Sequence, residues 1–228
     1  MATRPRVFYL HGLASSARSA KAQYFAERLA ARGLELHCPD FNEPEFETLT
    51  CSRMIRQVEA AMAALPPGPV AIIGSSLGGF VAWHVAARQS ALRRSRAGTA
   101  HPIDRLILLA PAFDFGRTPL GGMDAAGLEA WRRTDRFEIF HHAENRTRFL
   151  RYALYEDARQ YDSAACAVEA PTLVFQGLRD AIVDPGMVRR FAAGRPSLTT
   201  RFVDDGHQLS ASTGIIWRES AAFLGLIT

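Results

Sequence analysis

Short apolar segments of the chain alternate with stretches whose apolar residues recur every three or four positions. The apolar segments predict strands, at 6–11, 34–39, 70–74, 105–110, 172–176 and about 200–203. The amphipathic stretches predict helices, at about 19–32, 50–65, 77–88 and 212–226. Strands that alternate with helices in this way are typical of βαβ units. We therefore predict an α/β fold, with about six mainly parallel strands and helices on both faces of the sheet.

The segment 113–170 interrupts this alternation, because it contains no convincing strand. Aromatic residues recur in it at spacings that fit a helix, namely Trp131, Phe137, Phe140, Phe149, Tyr152 and Tyr155. A structureless loop of that length is rare in a compact domain, so we predict a short helical cap insertion at about 113–170. Its aromatic side chains either form the core of the insertion or line part of a pocket. The length of 228 residues suits a single domain, 1–228, that includes this insertion.

Composition and charge exclude several classes of protein. No apolar run approaches the roughly 20 residues that a membrane span needs. The net charge is +4, and the densest basic cluster, Arg88 to Arg96, has no interleaved aromatic residues, so we expect a solvated surface and no nucleic-acid partner. The basic residues 1–6 lead straight into a strand and not into a signal-peptide core, which predicts a cytoplasmic protein.

The cysteines are Cys38, Cys51 and Cys166, which are widely spaced and odd in number. They form no C-x-x-C pair, so neither a disulfide framework nor a structural zinc site is expected. We predict reduced, partly buried thiols and no metal site, since free cysteine is among the residues most often buried.

A glycine-flanked serine follows the third predicted strand, in the segment Gly74-Ser75-Ser76-Leu77-Gly78. The segment matches G-x-S-x-G, in which a sharp turn from strand to helix strains the serine backbone and exposes its Oγ. An ordinary strand–helix turn is the competing interpretation. The apolar strand before the motif and the apolar helix after it favour the catalytic one. Ser75 lacks the symmetrical glycines, so we predict Ser76 as the nucleophile.

A carboxylate and a histidine must accompany such a serine, and in folds with this motif they follow it in the order Asp or Glu, then His. Asp180 follows the fifth predicted strand and the turn at Gly177. Asp114, just after the fourth strand, is the alternative acid. A capping role would be the ordinary explanation for either aspartate, but Asp184 before Pro185 is the better helix cap. We predict Asp180 as the acid.

The candidate base is His207, which follows the last predicted strand and a turn at Gly206. It has both the required order and a position in a loop after a strand. His141 and His142 are alternatives within the insertion. The neighbouring Asp204 and Asp205 are assigned only to the turn.

Acyl transfer places negative charge on the carbonyl oxygen, so the site also needs two backbone N–H donors. Leu77, directly after the nucleophile, supplies the first. Leu13, in the loop after the first strand, supplies the second, since Gly12 lets the backbone approach closely. His11 is expected to shape this loop by hydrogen bonding.

These four motifs give the chain a family resemblance. With Tyr9–Leu13, Ile73–Phe80, Gln176–Asp180 and Asp205–His207 in this order, it resembles serine hydrolases of the α/β-hydrolase fold. Within them it is similar to the small bacterial YqiA-like esterases, and less closely to acyl-protein thioesterase-like hydrolases. The resemblance runs from about residue 6 to 223. It implies esterase or thioesterase activity, no cofactor, and the triad Ser76, Asp180 and His207.

Two departures accompany the resemblance. The two antiparallel strands that often open the fold are absent, so a reduced sheet is expected. The insertion resembles no known lid, which leaves acyl-chain length and leaving group open.

The sequence therefore predicts a serine hydrolase that cleaves carboxylic ester or thioester bonds of small acyl substrates through an acyl-enzyme. One alternative is another enzyme on the same triad, such as a peptidase, a carbon–carbon hydrolase or an acyltransferase. The other is a non-catalytic binding protein of the same fold, which is disfavoured because no triad member is missing.

Overall fold

The computed structural model describes residues 4–95, 98–118 and 120–227. Its strands are β1 (Arg6–Leu10), β2 (Leu36–His37), β3 (Val70–Ser75), β4 (Ile103–Leu109), β5 (Phe137–His141), β6 (Arg146–Leu150), β7 (Thr172–Gly177) and β8 (Leu198–Val203). Its helices are α1 (Ala20–Ala30), α2 (Cys51–Ala63), α3 (Leu77–Arg94), α4 (Ala125–Thr134), α5 (Ala153–Ala158), α6 (Pro185–Ala192) and α7 (Thr213–Phe223). Residues 1–3 and Arg96 of the basic cluster lie outside these ranges.

Six strands form one sheet in the order β2-β1-β3-β4-β7-β8, and every neighbouring pair is parallel. The residues of β1 alternate between the two faces: Val7 and Tyr9 belong to one buried core, Phe8 and Leu10 to the other. Helices α1 and α7 cover the first face, and α2, α3 and α6 cover the second. The predicted parallel sheet with helices on both faces is confirmed. Within the described residues, no helix has the length and apolarity to cross a bilayer.

Two elements differ in length from the sequence prediction. Strand β2 has only two residues, Leu36 and His37, and pairs with Val7 and Phe8 of β1. Helix α3 continues beyond the predicted end at residue 88 as far as Arg94. The arginines there are good helix formers, and no glycine or proline follows residue 88 before Gly98. The basic cluster therefore extends the helix and does not end it.

The insertion is not purely helical, which corrects the prediction for 113–170. It contains α4 and α5, but between them β5 and β6 pair as an antiparallel hairpin, with Phe137 opposite Leu150 and His141 opposite Arg146. Along β5 the side chains alternate, since Glu138 and Phe140 are exposed whereas Phe137, Ile139 and His141 are more buried. This period of two is the signature of a half-buried strand.

Four aromatic residues of the insertion pack against one another and join the core on the second face of the sheet. The Trp131 ring lies against Phe137, Tyr152 and Tyr155, at centroid separations of 5.2, 5.5 and 6.2 Å. Its indole Nε1 donates to the Leu150 carbonyl at 2.9 Å, which ties α4 to the hairpin. Of the two roles left open by the sequence, these four side chains have the packing role.

Candidate active site

Ser76 occupies the turn between β3 and α3, with φ 53° and ψ −116°. The positive φ is unusual for a residue with a side chain, and the surrounding contacts hold it there. Ser76 N donates to the Leu109 carbonyl of β4 at 2.8 Å. A Cβ on Gly74 would lie 2.5 Å from the Gly78 carbonyl oxygen, and a Cβ on Gly78 would collide with the Leu10 carbonyl. The motif glycines are therefore required by backbone approach on both sides of the serine.

The His207 ring lies between Ser76 and Asp180. Its Nε2 is 3.0 Å from Ser76 Oγ, and its Nδ1 is 2.9 Å from Asp180 Oδ2. A carboxylate only accepts hydrogen bonds, so Nδ1 carries the proton and Nε2 is left to accept from the serine hydroxyl. The structure thus brings together the three side chains that the sequence selected, from three separate loops after β3, β7 and β8.

Four donors surround the Asp180 carboxylate. The amides of Ile182 and Val183 both donate to Oδ1 at 2.9 Å, and Gln176 Nε2 donates to Oδ2 at 2.9 Å, beside His207. Burial raises the pKa of Asp180, but the hydrogen bonds from His207 and the two amides outweigh it, so the net pKa lies below its usual value. Asp180 is therefore an anion at neutral pH, aimed at the histidine.

The loop that carries His207 is held by Asp205. This buried side chain accepts from Gly206 N at 2.7 Å and from Ser212 N at 2.9 Å, which joins the loop to the start of α7. A Cβ on Gly177 would lie 2.6 Å from the carbonyl oxygens of Asp205 and Gly206, so β7 ends in a glycine where this loop crosses it. Asp205 thus has more than the turn role that the sequence suggested.

Lys21 contacts the same loop from α1. Its Nζ donates to the Gln208 carbonyl at 2.9 Å, next to the histidine in the chain. Burial lowers the pKa of Lys21 from 10.5 to about 8, and the charges of Asp205 and Asp180 oppose the shift. Lys21 therefore holds the residue after His207 and lies close enough to Asp205 and Asp180 to interact with their charges.

The loop after β1 approaches Ser76 closely. A Cβ on Gly12 would lie 3.3 Å from Ser76 Cβ and 3.9 Å from its Oγ. The Gly12 carbonyl is 2.9 Å from His11 Nδ1 and accepts from Ser15 N at 3.3 Å. Within the described residues, the amides of Leu13 and Leu77 donate to no protein acceptor. Both are thus available to a ligand beside the serine.

The competing candidates have other contacts. Asp114 Oδ2 accepts from Thr118 Oγ1 at 2.9 Å within a turn, whereas His207 Nδ1 is paired with Asp180. Asp184 accepts from the amides of Gly186 and Met187 and so caps α6, as the sequence predicted.

The two histidines of the insertion make their contacts with residues other than Ser76. His141 is buried and contacts Asn42, with 3.1 Å between His141 Nε2 and Asn42 Oδ1. His142 is exposed and contributes a backbone bond, from its N to the Ala14 carbonyl at 3.0 Å. Both lie beside the loop after β1.

The three cysteines are free thiols, with Cys51 buried and the other two partly buried. In the part of the chain that the structure describes, no group of three or more His, Cys, Asp or Glu side chains is arranged to hold a metal ion.

Sequence reasoning missed Gln176, Lys21 and Asn42. Gln176 had a signal, because it is a polar residue at the end of the otherwise apolar strand Thr172–Gly177 and is fully buried. A buried side-chain amide at the end of this strand needs a hydrogen-bond partner, and the acid expected just after the strand is the nearest candidate. Lys21 is the only lysine of the chain, but nothing local points from it to residue 208.

Comparison with known proteins places the fold. A family model described as "Uncharacterised protein family (UPF0227)" matches residues 6–211. No curated protein matches the sequence.

Several solved structures are similar over nearly the whole chain. A provisionally assigned hydrolase from Agrobacterium vitis S4 has a TM-score of 0.82 at 21% identity, over 97% of this chain and 88% of its own. Alpha/beta hydrolase domain-containing protein 10 from mouse has a TM-score of 0.76 at 18% identity, over 100% and 92%. A monoacylglycerol lipase from Paleococcus ferrophilus has a TM-score of 0.74 at 14% identity, over 98% and 96%. The fold is that of the α/β hydrolases.

Proposed function

This chain belongs to the UPF0227 family, and we propose that it is a serine hydrolase that cleaves carboxylic ester or thioester bonds of small acyl substrates. The observation that carries the proposal is the His207 ring, which joins Ser76 Oγ at 3.0 Å to Asp180 at 2.9 Å. A serine hydroxyl is a weak nucleophile until a base takes its proton, and an ionised acid keeps that base in the required tautomer.

The reaction follows from these positions. Ser76 Oγ attacks the acyl carbonyl carbon as its proton passes to His207 Nε2, and Asp180 stabilises the imidazolium. The leaving alcohol or thiol takes that proton, which leaves the acyl group on Ser76. A water molecule then attacks the acyl-enzyme, gives its proton to His207 and releases the carboxylic acid.

The amides of Leu13 and Leu77 are assigned to the oxyanion. Each is without a protein acceptor among the described residues, and both lie in segments that meet at Ser76. Preorganised N–H donors at this position stabilise the tetrahedral intermediate, and the loss of one typically lowers kcat by about 10²–10³-fold.

Ester or thioester chemistry is the preferred class. The monoacylglycerol lipase among the similar structures is named for an ester substrate, which supports a carboxylic ester as the first substrate class to test. The insertion is assigned as a cap on a single domain, 1–228.

The proposal is tested with an activity-based fluorophosphonate probe, which phosphonylates an activated serine. The wild-type protein should label, and Ser76→Ala should not. Ser75→Ala is the matched control, since Ser75 is the adjacent serine and is predicted to have no part in the reaction; it should label like the wild type. A series of p-nitrophenyl esters and acyl-thioesters of increasing chain length then identifies the substrate class. Wild-type protein that neither labels nor turns over any of these substrates refutes the proposal.

A further inference from the structure

The loop from His11 to Ser16, here called the oxyanion loop, contains one residue in an unfavourable backbone conformation. Ala14 has φ 54°, in the left-handed region. That region disfavours a residue with a Cβ by roughly 1–2 kcal/mol, so neighbouring contacts must stabilise it. The Ala14 carbonyl accepts from His142 N of the insertion at 3.0 Å. The insertion therefore contributes directly to the shape of this loop.

Asn42 makes a second link between the same two segments. Its Nδ2 donates to the Ser15 carbonyl at 2.9 Å, and its Oδ1 is 3.1 Å from His141 Nε2. Because the amide nitrogen faces a carbonyl, its oxygen is free to accept from the histidine. A single side chain thus connects the oxyanion loop to β5.

The orientation of His141 is determined by its own partners. Glu144 N donates to His141 Nδ1 at 3.2 Å, so the proton of the neutral ring is on Nε2, where it reaches Asn42. The ring is fully buried and lies edge-on to Phe46 at 4.7 Å. Burial lowers the pKa of His141, with the nearby Glu144 opposing it, which agrees with a neutral ring. His141 therefore fixes which way the Asn42 amide points.

The hairpin itself is firmly attached near Asn42. Arg148 of β6 binds the buried carboxylate of Glu47 through two contacts, at 2.7 and 2.5 Å. Arg151 N also donates to the Glu47 carbonyl at 3.1 Å. A paired carboxylate and guanidinium with little solvent access form a strong, directional link. These contacts attach the hairpin that carries His141 to the segment just after Asn42.

The Ser15 end of the link reaches the peptide that carries the Leu13 amide. Ser15 N donates to the Gly12 carbonyl at 3.3 Å, and this carbonyl belongs to the same planar peptide unit as Leu13 N–H. In a trans peptide the C=O and N–H point in opposite directions, so an anchor on the carbonyl also aims the N–H.

We propose that Asn42, oriented by His141, is a positioning residue that aims the Leu13 amide at the oxyanion. This inference rests on the proposed function, and it gives Asn42, and His141 of the insertion, a positioning role that acts through the Leu13 amide. A donor that is 1 Å out of place loses much of its effect, since oxyanion stabilisation depends on preorganised geometry.

The decisive variant is Asn42→Asp, which keeps the size and the acceptor for His141 but replaces the donor to Ser15 with a carboxylate oxygen. We expect kcat per active site on a p-nitrophenyl ester to fall about 10-fold, less than for outright loss of a donor, with KM within about twofold of the wild type. Active sites are counted by fluorophosphonate titration, so that partial misfolding does not count as lost catalysis. The affinity for an alkyl boronic acid, which forms a tetrahedral adduct on serine, should fall by a similar factor.

Two further variants keep the test sharp. Gln57→Ala is the matched control, because Gln57 Nε2 donates to the Glu43 carbonyl at 2.8 Å and so holds the same segment without contact to the oxyanion loop. It should leave kcat unchanged. If Asn42→Asp folds poorly, His141→Phe keeps the ring against Phe46 but removes the donor to Asn42, and should lower kcat in the same way.

The outcomes separate the inference from the proposed function. An active wild type, with Asn42→Asp or His141→Phe unchanged in kcat and in boronate affinity, overturns the inference alone. A wild type that neither labels nor hydrolyses ester or thioester overturns the proposed function, and the inference with it.

Discussion

Replacement of Asp180 by asparagine gives the most demanding test of the proton pathway. The substitution keeps the size of the side chain but exchanges one acceptor oxygen for an NH₂ group. Asp180 Oδ1 accepts from two backbone amides at 2.9 Å each, whereas Oδ2 faces the side chains of Gln176 and His207. The backbone amides cannot rotate away, so the oxygen of the introduced asparagine must take the Oδ1 position and its NH₂ must face His207.

The consequence is a change of tautomer. An NH₂ group donates, so His207 Nδ1 becomes the acceptor and the ring proton moves to Nε2. Nε2 then faces Ser76 Oγ with a proton and cannot act as the base. In Ser-His-Asp enzymes the equivalent substitution lowers kcat by about 10⁴-fold, which corresponds to about 5.5 kcal/mol in activation free energy.

The assay is kcat/KM on an activated ester, with unfolding curves to confirm that Asp180→Asn still folds. We expect a loss of about 10³–10⁴-fold. Asp114→Asn is the matched control, since Asp114 is the other acid that the sequence offered, and it should stay within about twofold of the wild type. A loss below about 10-fold for Asp180→Asn would refute the assignment of the acid. A loss above about 10-fold for Asp114→Asn would refute it as well.

Two further predictions concern stability. Gly78→Ala places a Cβ against the Leu10 carbonyl, which cannot move aside, so we expect destabilisation by about 3 kcal/mol or more in thermal unfolding, whereas Gly214→Ala, with open space around it, should be neutral or slightly stabilising. The pKa of Lys21 is about 8 in the folded protein and 10.5 ordinarily. Between these pH values the unfolded chain binds more protons than the folded protein, so the contribution of Lys21 to the free energy of unfolding rises with pH. In urea unfolding, the wild type should therefore gain about 2 kcal/mol relative to Lys21→Met between pH 7.5 and pH 10; an equal pH response in both proteins would contradict the burial of this charge.

The sequence predicted those parts of the fold that are marked by residues close together in the chain, such as apolar runs and glycine turns. Ser76, Asp180 and His207 each follow a strand within a few residues and each lies near a glycine, so chain order and turn chemistry were sufficient to select them as candidates. Four of the six parallel strands, β1, β3, β4 and β7, are largely apolar runs of five to seven residues, and such runs also predict strands directly.

The hairpin was missed because its residues fit two periodicities. Phe137 and Phe140 have the spacing of one helix face, whereas Phe137 and Ile139 have the spacing of one strand face. The exposed Phe140 made the helical pattern look stronger than the alternation. Only the pairing with β6, which lies across a turn, decides between the two.

The contacts around the two halves of the site differ in range. Asp180 is held by amides two and three residues away, and Asp205 holds the His207 loop through Gly206 and Ser212, so the proton pathway is supported mainly from nearby in the chain. The oxyanion loop is supported by Asn42, which is 27 residues from Ser15, and through it by His141, another 99 residues away. The contacts of the insertion thus reach the loop after β1 and are separate from the contacts that join Ser76, His207 and Asp180. Under the proposed function, substitutions in the insertion should lower kcat through the aim of the Leu13 amide, whereas changes near Asp180 should lower it through the tautomer of His207.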